Sequence, residues 1–187
     1  LIDLGVGLRG LKKDCREYGF SLSQVHHVLI THDHADHIKS VGSFSNDYHI
    51  PVYATRDVHI GINRNYCITQ KIPSELARVI KKDETFQVGD FQVTPFGVPH
   101  DSSDNVGYFI EAEGTNFCIM TDVGKVTDEM KEYIRRARHL VIEANHDEEM
   151  VMSGPYPQFL KTRILSDTGH LSNRNFGLAL VENMTEN

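Results

Sequence analysis

The chain has 187 residues, of which 40% are hydrophobic and 24% charged, and a formal net charge of −7 at pH 7. These values suit a single domain over residues 1–187 with a substantial core, and they exclude a disordered chain. No apolar run approaches the ~20 residues of a membrane span, and the negative charge argues against a broad basic surface that coats nucleic acid.

The start, "LIDLG", reads as a strand and lacks an initiating Met, so the chain is expected to be a fragment truncated at both ends. An amphipathic helix follows in "GLRGLKKDCREYG", then a strand in "HHVLIT" and a helix near "DHIKSVGSF". The middle changes character. "ETFQV", a Gly89-Asp90 turn and "FQVTPFGV" predict one hairpin, and "VGYFIEA", a Glu113-Gly114 turn and "TNFCIMTD" predict another. The α/β rhythm then returns, with a helix over about 127–137, the strand "HLVIEA", a helix after Pro157 and a last helix after Ser172. Alternating α/β units around consecutive hairpins predict an α/β fold, a four-layer αββα sandwich.

Three widely spaced cysteines, Cys15, Cys67 and Cys118, show no CxxC pattern, which points to a reducing cytoplasm and away from a cysteine zinc site. Cys118 sits within a strand and is expected in the core. The basic spots Lys12 and Lys13, Lys81 and Lys82, and Arg135, Arg136 and Arg138 read as solvated faces.

Potential metal ligands or their supports follow the apolar strands one after another: Asp3, His32, His100, Asp122 and Glu143, with His170 in a short loop before a helix. The densest stretch is "THDHADH", Thr31 to His37. His32 and His34 are two apart, so in an extended loop they leave on the same side and bind one cation together. Asp36 and His37 lie where the loop turns into a helix, about 100° apart around its axis, and address a neighbouring position. A first metal with His32, His34 and His100 keeps its fourth position open for water, the pattern of catalytic zinc. A second takes Asp36, His37 and His170, and Asp122 bridges ions about 3.5 to 4 Å apart. Two divalent ions, two carboxylates and a bridging hydroxide leave roughly one positive charge, which favours an anionic substrate. A lone strand-end histidine is more often a surface or core residue, and His26, His27, His49, His59 and His139 are read that way. The cluster between an apolar strand and an amphipathic helix raises the later His, Asp and His with it.

These residues resemble the metallo-β-lactamase superfamily. The Asp36–His37 pair, and Asp122 where true β-lactamases commonly carry cysteine, resemble its phosphodiesterase and thioesterase branches. "VPHDSSDNVGYFI", "MTDVGKV", "VIEANHDEEM" and "YPQFLKTRILSDTGHLSN", in this order, are similar to the bacterial YycJ group, also called WalJ or VicX, which is associated with a two-component cell-wall regulatory operon. The resemblance covers the chain from "LIDLG" to "GHLSN", and members normally have further strands on either side. It implies that Asp3 hydrogen-bonds the ligand loop rather than the metal, and that Glu143 supports a histidine near the leaving group. His146 is then a candidate proton donor or phosphate contact, with a loop-structural role as the alternative.

The expected activity is a phosphodiesterase acting on nucleic acid, most plausibly a DNA exonuclease, with two divalent ions, zinc or else manganese or iron. A hydroxide between the ions attacks phosphorus, and His146, assisted by Glu143, protonates the leaving oxygen. Amides around Ser172 and Asn173 are candidates to hold a phosphate and Arg174 to reach an adjacent one, with Ser172 as a plain N-cap the alternative. The rivals are a glyoxalase II-like thioester or lactone hydrolase and a regulatory protein that binds metal without catalysis.

Overall fold

In a computed structural model, which describes residues 1–184, the α/β alternation resolves into two sheets, one in each of two units. The first unit is Leu1–Lys81 with Ser102–Asp104, and the second is Lys82–Asp101 with the chain from Asn105 onward.

The first unit begins with a departure from expectation, because "LIDLG" forms no strand. Ile2 makes a single parallel bridge to Leu29, and Asp3 then turns out of extended backbone at φ 53°. Past that turn the Leu4 amide donates to His37 O at 2.7 Å and the Ser40 amide to Leu4 O at 3.0 Å. The segment therefore lies along the histidine-rich loop. Helix α1 (Leu8–Glu17) forms where expected: Leu8, Leu11 and Cys15 share one face and pack on the core, while Lys12, Lys13 and Arg16 stay outside.

β1 (Val28–Leu29) is short and fully buried, and it leads directly into "THDHADH". The single helix expected beyond it is two, α2 (Ala35–Ile38) and α3 (Val41–Tyr48), because Ser40 leaves helical backbone at φ −110°, ψ 2°. β2 (Val52–Thr55) follows, then α4 (Arg56–Arg64), whose Val58 amide is capped by the Thr55 hydroxyl, and β3 (Ala77–Ile80). The sheet order is β1-β2-β3, all parallel. Val28, Val52 and Ala54 from its strands pack with Ile38, Phe44, Val58 and Ile62 from the helices. His59 is buried and bonds the Arg78 carbonyl at 3.0 Å, the packing role expected of it.

The second unit carries both expected hairpins. β4 (Phe86–Val88) pairs with β5 (Phe91–Gly97), and β6 (Val106–Ala112) with β7 (Thr115–Met120). The turn residues Gly89, Glu113 and Gly114 all have positive φ, as tight hairpins require. Helix α5 (Asp128–Arg136), capped by Thr127, crosses over to β8 (His139–Ile142), which joins β7 in parallel. The order is β4-β5-β6-β7-β8. α6 (Glu148–Ser153) was not visible in the sequence pattern; α7 (Gln158–Ile164) and α8 (Asn173–Asn183) start after Pro157 and Ser172 as expected. Phe96, Phe109, Met120, Met130, Ile134 and Cys118 form the core. Burial pushes the Cys118 thiol up to about 12, which keeps it inert.

Among the described residues no helix is long and apolar enough to cross a membrane.

A Cβ on Gly5 would stand 1.3 Å from the Asp36 carbonyl oxygen, so this glycine lets the N-terminal segment approach the motif loop. Gly5→Ala is expected to destabilise the protein by about 1 to 3 kcal/mol. Gly10→Ala, in α1 with nothing within 4 Å of the added methyl, is expected to stabilise by up to about 1 kcal/mol. Thermal melting reads both, and shifts of the same sign would contradict the close approach at Gly5.

Candidate metal centre

In the first unit the motif is gathered by one carboxylate. Asp3 Oδ1 accepts from the Thr31 amide at 2.8 Å, and Oδ2 accepts from the Thr31 hydroxyl at 2.8 Å and from His37 Nδ1 at 2.8 Å. These bonds fix tautomers. His37 must carry its proton on Nδ1 to meet the carboxylate, which leaves Nε2 as a lone pair. Because the Thr31 hydroxyl gives its own hydrogen to Asp3, it can only accept from His32 Nδ1, 3.0 Å away, so His32 also presents Nε2 as a lone pair. The His32 ring lies 4.7 Å from that of His34 and 4.1 Å from that of His37. His34 stands at the N-cap of α2 and Asp36 in its first turn, with an Asp36 side chain that is 81% exposed and an oxygen 3.9 Å from His37 Nε2. Asp33 is turned elsewhere: its carboxylate accepts from the Ser103 amide at 3.0 Å and hydroxyl at 2.6 Å.

The second unit repeats the device. His100, after β5, bonds the Gly169 carbonyl through Nδ1 at 2.9 Å. His170, after α7, bonds Glu143 Oε1 through Nδ1 at 2.7 Å. Both therefore keep Nε2 as the lone-pair nitrogen. Asp122 ends β7 in left-handed backbone at φ 53°, with its carbonyl held by Asn105 Nδ2 at 3.0 Å. One donor atom from each of His100, Asp122 and His170 lies within 4.8 Å of the others, close enough for one ion.

This donor set fits a divalent metal. His100 Nε2 stands 3.5 Å from an Asp101 oxygen and 3.8 Å from an Asp122 oxygen, an arrangement of lone pairs and anionic charge that a cation relieves. The imidazole and carboxylate donors suit zinc, and each histidine is oriented through its other nitrogen as metal-binding histidines are.

Glu143 does more than expected. Oε2 accepts from the amides of Val123 at 2.8 Å and Leu171 at 3.0 Å while Oε1 holds His170. Expected to assist His146, on which its charge does act, the residue also ties β7, β8 and the His170 loop together. Its hydrogen bond holds His170 above the ordinary 6.5, against the burial that lowers it.

His146 is half-buried and its Nδ1 has no hydrogen-bond partner among the described residues. Burial pushes its pKa down, with the Glu148 and Glu143 charges pulling the other way. The expected phosphate amides are partly used within the chain: the Asn173 amide donates to His146 O at 2.8 Å, because His146 and Ser172 form a parallel bridge. Ser172 is the N-cap of α8, accepting from the Asn175 amide at 3.2 Å and donating to Glu148 at 2.8 Å. Arg174 and the Asn173 side chain are exposed beside it.

Arg163 carries no signal in the sequence pattern, yet its Nη2 donates to Asp101 at 2.9 Å and its carbonyl would be 2.1 Å from a Cβ on Gly169. The α7 terminus thus supports the residue after His100 and the residue before His170 together. Only the adjacency of Asp101 to His100 could have pointed to it.

Comparison with known proteins agrees with this geometry. The family described as "Beta-lactamase superfamily domain" matches residues 1–185. Two solved structures share the fold. Zn(2+)-bound PqqB from Methylobacterium extorquens has a TM-score of 0.73 and 22% identity, covering 91% of this chain and 63% of that one. A diphosphatase from the PhnP family has a TM-score of 0.67 and 17% identity, covering 97% and 64%. The class that fold and donor set define is a metal-dependent hydrolase. Among curated proteins, exodeoxyribonuclease YycJ of Bacillus anthracis is 32% identical over 186 residues, covering 100% of this chain and 69% of that protein. Exodeoxyribonuclease WalJ of Streptococcus pneumoniae serotype 2 is 32% identical over 184 residues, covering 98% and 68%. The chain belongs to the β-lactamase superfamily, and within it to the YycJ/WalJ group.

Glu143→Gln keeps the shape but replaces the anionic acceptor that sets the His170 tautomer. Zinc affinity measured by chelator competition is expected to fall about 10- to 100-fold. Unchanged affinity would show that Glu143 acts on the strands alone.

Proposed function

We propose that the protein is a DNA exonuclease that hydrolyses phosphodiester bonds with two divalent metal ions. The observation that carries the reading is the orientation of His32, His37, His100 and His170, each held through Nδ1 so that Nε2 is the nitrogen left to ligate. The names of its 32%-identical relatives supply the substrate, DNA. On this reading the two units are parts of one domain, as the family match over 1–185 supports.

The proposed ligands follow the sequence motif: His32, His34 and His100 for one ion, Asp36, His37 and His170 for the other, and Asp122 for both. When bound, the ions supply an activated water and offset the charge on the non-bridging phosphate oxygens. The chain's own residues do the rest. Asp3 and Glu143 hold the imidazoles in their ligating tautomer, and Arg174 contacts a neighbouring phosphate from the first turn of α8. His146 protonates the leaving oxygen. Burial keeps its imidazole below its ordinary pKa, and a phosphate anion beside it would reverse that shift and bring a proton to the site. Manganese and iron suit the same donors as zinc. A nuclease of this kind works in the cytoplasm, where DNA is present and Cys15, Cys67 and Cys118 remain thiols.

The test is hydrolysis of labelled single-stranded DNA, double-stranded DNA, RNA and a small thioester by metal-loaded protein, beside Asp122→Ala. DNA hydrolysis that falls at least ~100-fold in the variant is expected, since a bridging ligand is removed. Thioester cleavage without nucleic-acid cleavage would move the protein to the glyoxalase branch. Asp36→Asn is expected to lower bound metal toward one ion per chain with most activity lost. Full metal content and full activity in that variant would remove Asp36 from the site.

A further inference from the structure

The first unit contains a cavity of about 260 Å³ between α1, the turn after it and the end of α3, lined by Lys12, Arg16, Phe20, Ser21, Leu22 and Tyr48. Its chemistry runs against the rest of the chain. In a protein with a net charge of −7, two cations line this cavity and no carboxylate does. Lys12 and Arg16 are one helical turn apart, so they project on the same side of α1. Arg16 makes no side-chain hydrogen bond or ion pair among the described residues, whereas the neighbouring Lys13 is occupied with Glu17 at 3.6 Å. Lys12 Nζ lies 5.6 Å from the centre of the Tyr48 ring, which places positive charge and an aromatic face side by side. Tyr48 is held in place by Phe44, 4.7 Å between ring centres, and Leu22 makes a buried floor. Phe20 is 46% exposed at the rim, an apolar ring left to solvent next to the cations.

We infer that this cavity binds a nucleotide, with Arg16 and Lys12 holding its phosphate and Phe20 and Tyr48 packing against its base. A guanidinium free of other partners forms paired hydrogen bonds to phosphate oxygens, and the ammonium beside it adds a second charge. Aromatic side chains beside a cationic groove are how proteins hold unpaired nucleotides without regard to sequence. Phosphate alone would use the cations but leave the rings exposed. A neutral ring compound would use the rings but leave the cations without a counter-charge. The nucleotide is the ligand class that satisfies both, and it can be a free 5′-monophosphate or a residue of a single strand. The site uses none of the proposed metal ligands and does not rest on the hydrolytic reading.

The experiment is calorimetric titration of metal-stripped full-length protein with 2′-deoxyadenosine 5′-monophosphate, deoxyadenosine and inorganic phosphate. Saturable binding of the monophosphate is expected, at least about tenfold tighter than either fragment. Arg16→Ala and Lys12→Ala, both surface changes, are each expected to weaken it about tenfold, as loss of a charge-assisted hydrogen bond does. Phe20→Ala is expected to weaken the monophosphate and leave phosphate unchanged, and Asp122→Ala is expected to change nothing. Competition by a twelve-residue oligothymidylate would identify a strand as the source of the ligand, and its failure to compete would identify the free nucleotide. No saturable binding, or binding that survives both cation changes, would overturn the proposal, as would binding lost in Asp122→Ala.

Discussion

The structure of the candidate site depends on one kind of interaction, the hydrogen bond from histidine Nδ1 to an acceptor that cannot itself donate. Asp3 for His37, the Gly169 carbonyl for His100 and Glu143 for His170 are all of this type, and Thr31 becomes one for His32 because its hydrogen is already committed to Asp3. An imidazole so held has only Nε2 left for ligation and loses little rotational freedom when it ligates. The anchors also explain why acids accumulate at strand ends. A carboxylate there can accept from several backbone amides while it orients a side chain, as Glu143 does with Val123 and Leu171.

Placing these groups required unusual backbone. Asp3 and Asp122 both adopt left-handed φ, a conformation that aspartate tolerates better than most residues. Each turns the chain abruptly as it leaves a strand or bridge, so that the residues on either side point in directions a continued strand would forbid. Gly169 serves the same end by letting its backbone approach the Arg163 carbonyl, which fixes where its own carbonyl meets His100.

Much of this was legible in the sequence, and the boundary of legibility is physical. The ligand candidates could be found because metal chemistry restricts residue types and the strand-end positions recur with the apolar pattern. The two hairpins were visible because Gly89-Asp90 and Glu113-Gly114 satisfy a local turn requirement. "LIDLG" reads as a strand from its apolar pattern, yet its conformation is set by Asp3 reaching Thr31, a contact 28 residues away. The hydrogen bond from His170 to Glu143 could not be read locally, since nothing in the sequence distinguishes His146, three residues on, from His170, 27 residues on, as its partner. The α2–α3 break at Ser40 has the same origin, for its amide is used by Leu4 rather than by the helix. Lys12 is exposed, in keeping with a solvated charge, and only its nearness to the Tyr48 ring, which comes from a different segment, is hidden from the sequence.

The anchored donors carry an electrostatic consequence for the fold itself. Within the second unit, His100 Nε2 faces oxygens of Asp101 and Asp122. Bringing these groups together stores repulsion that the unfolded chain, with the same groups apart and hydrated, does not feel. Arg163 offsets part of it by pairing with Asp101. A divalent ion would offset the remainder with one central charge, and because it would bind the assembled donors far better than the dispersed ones, its affinity would add directly to folding stability. The same preorganisation that readies the site for metal therefore makes the metal-free fold less stable than its apolar core alone would imply.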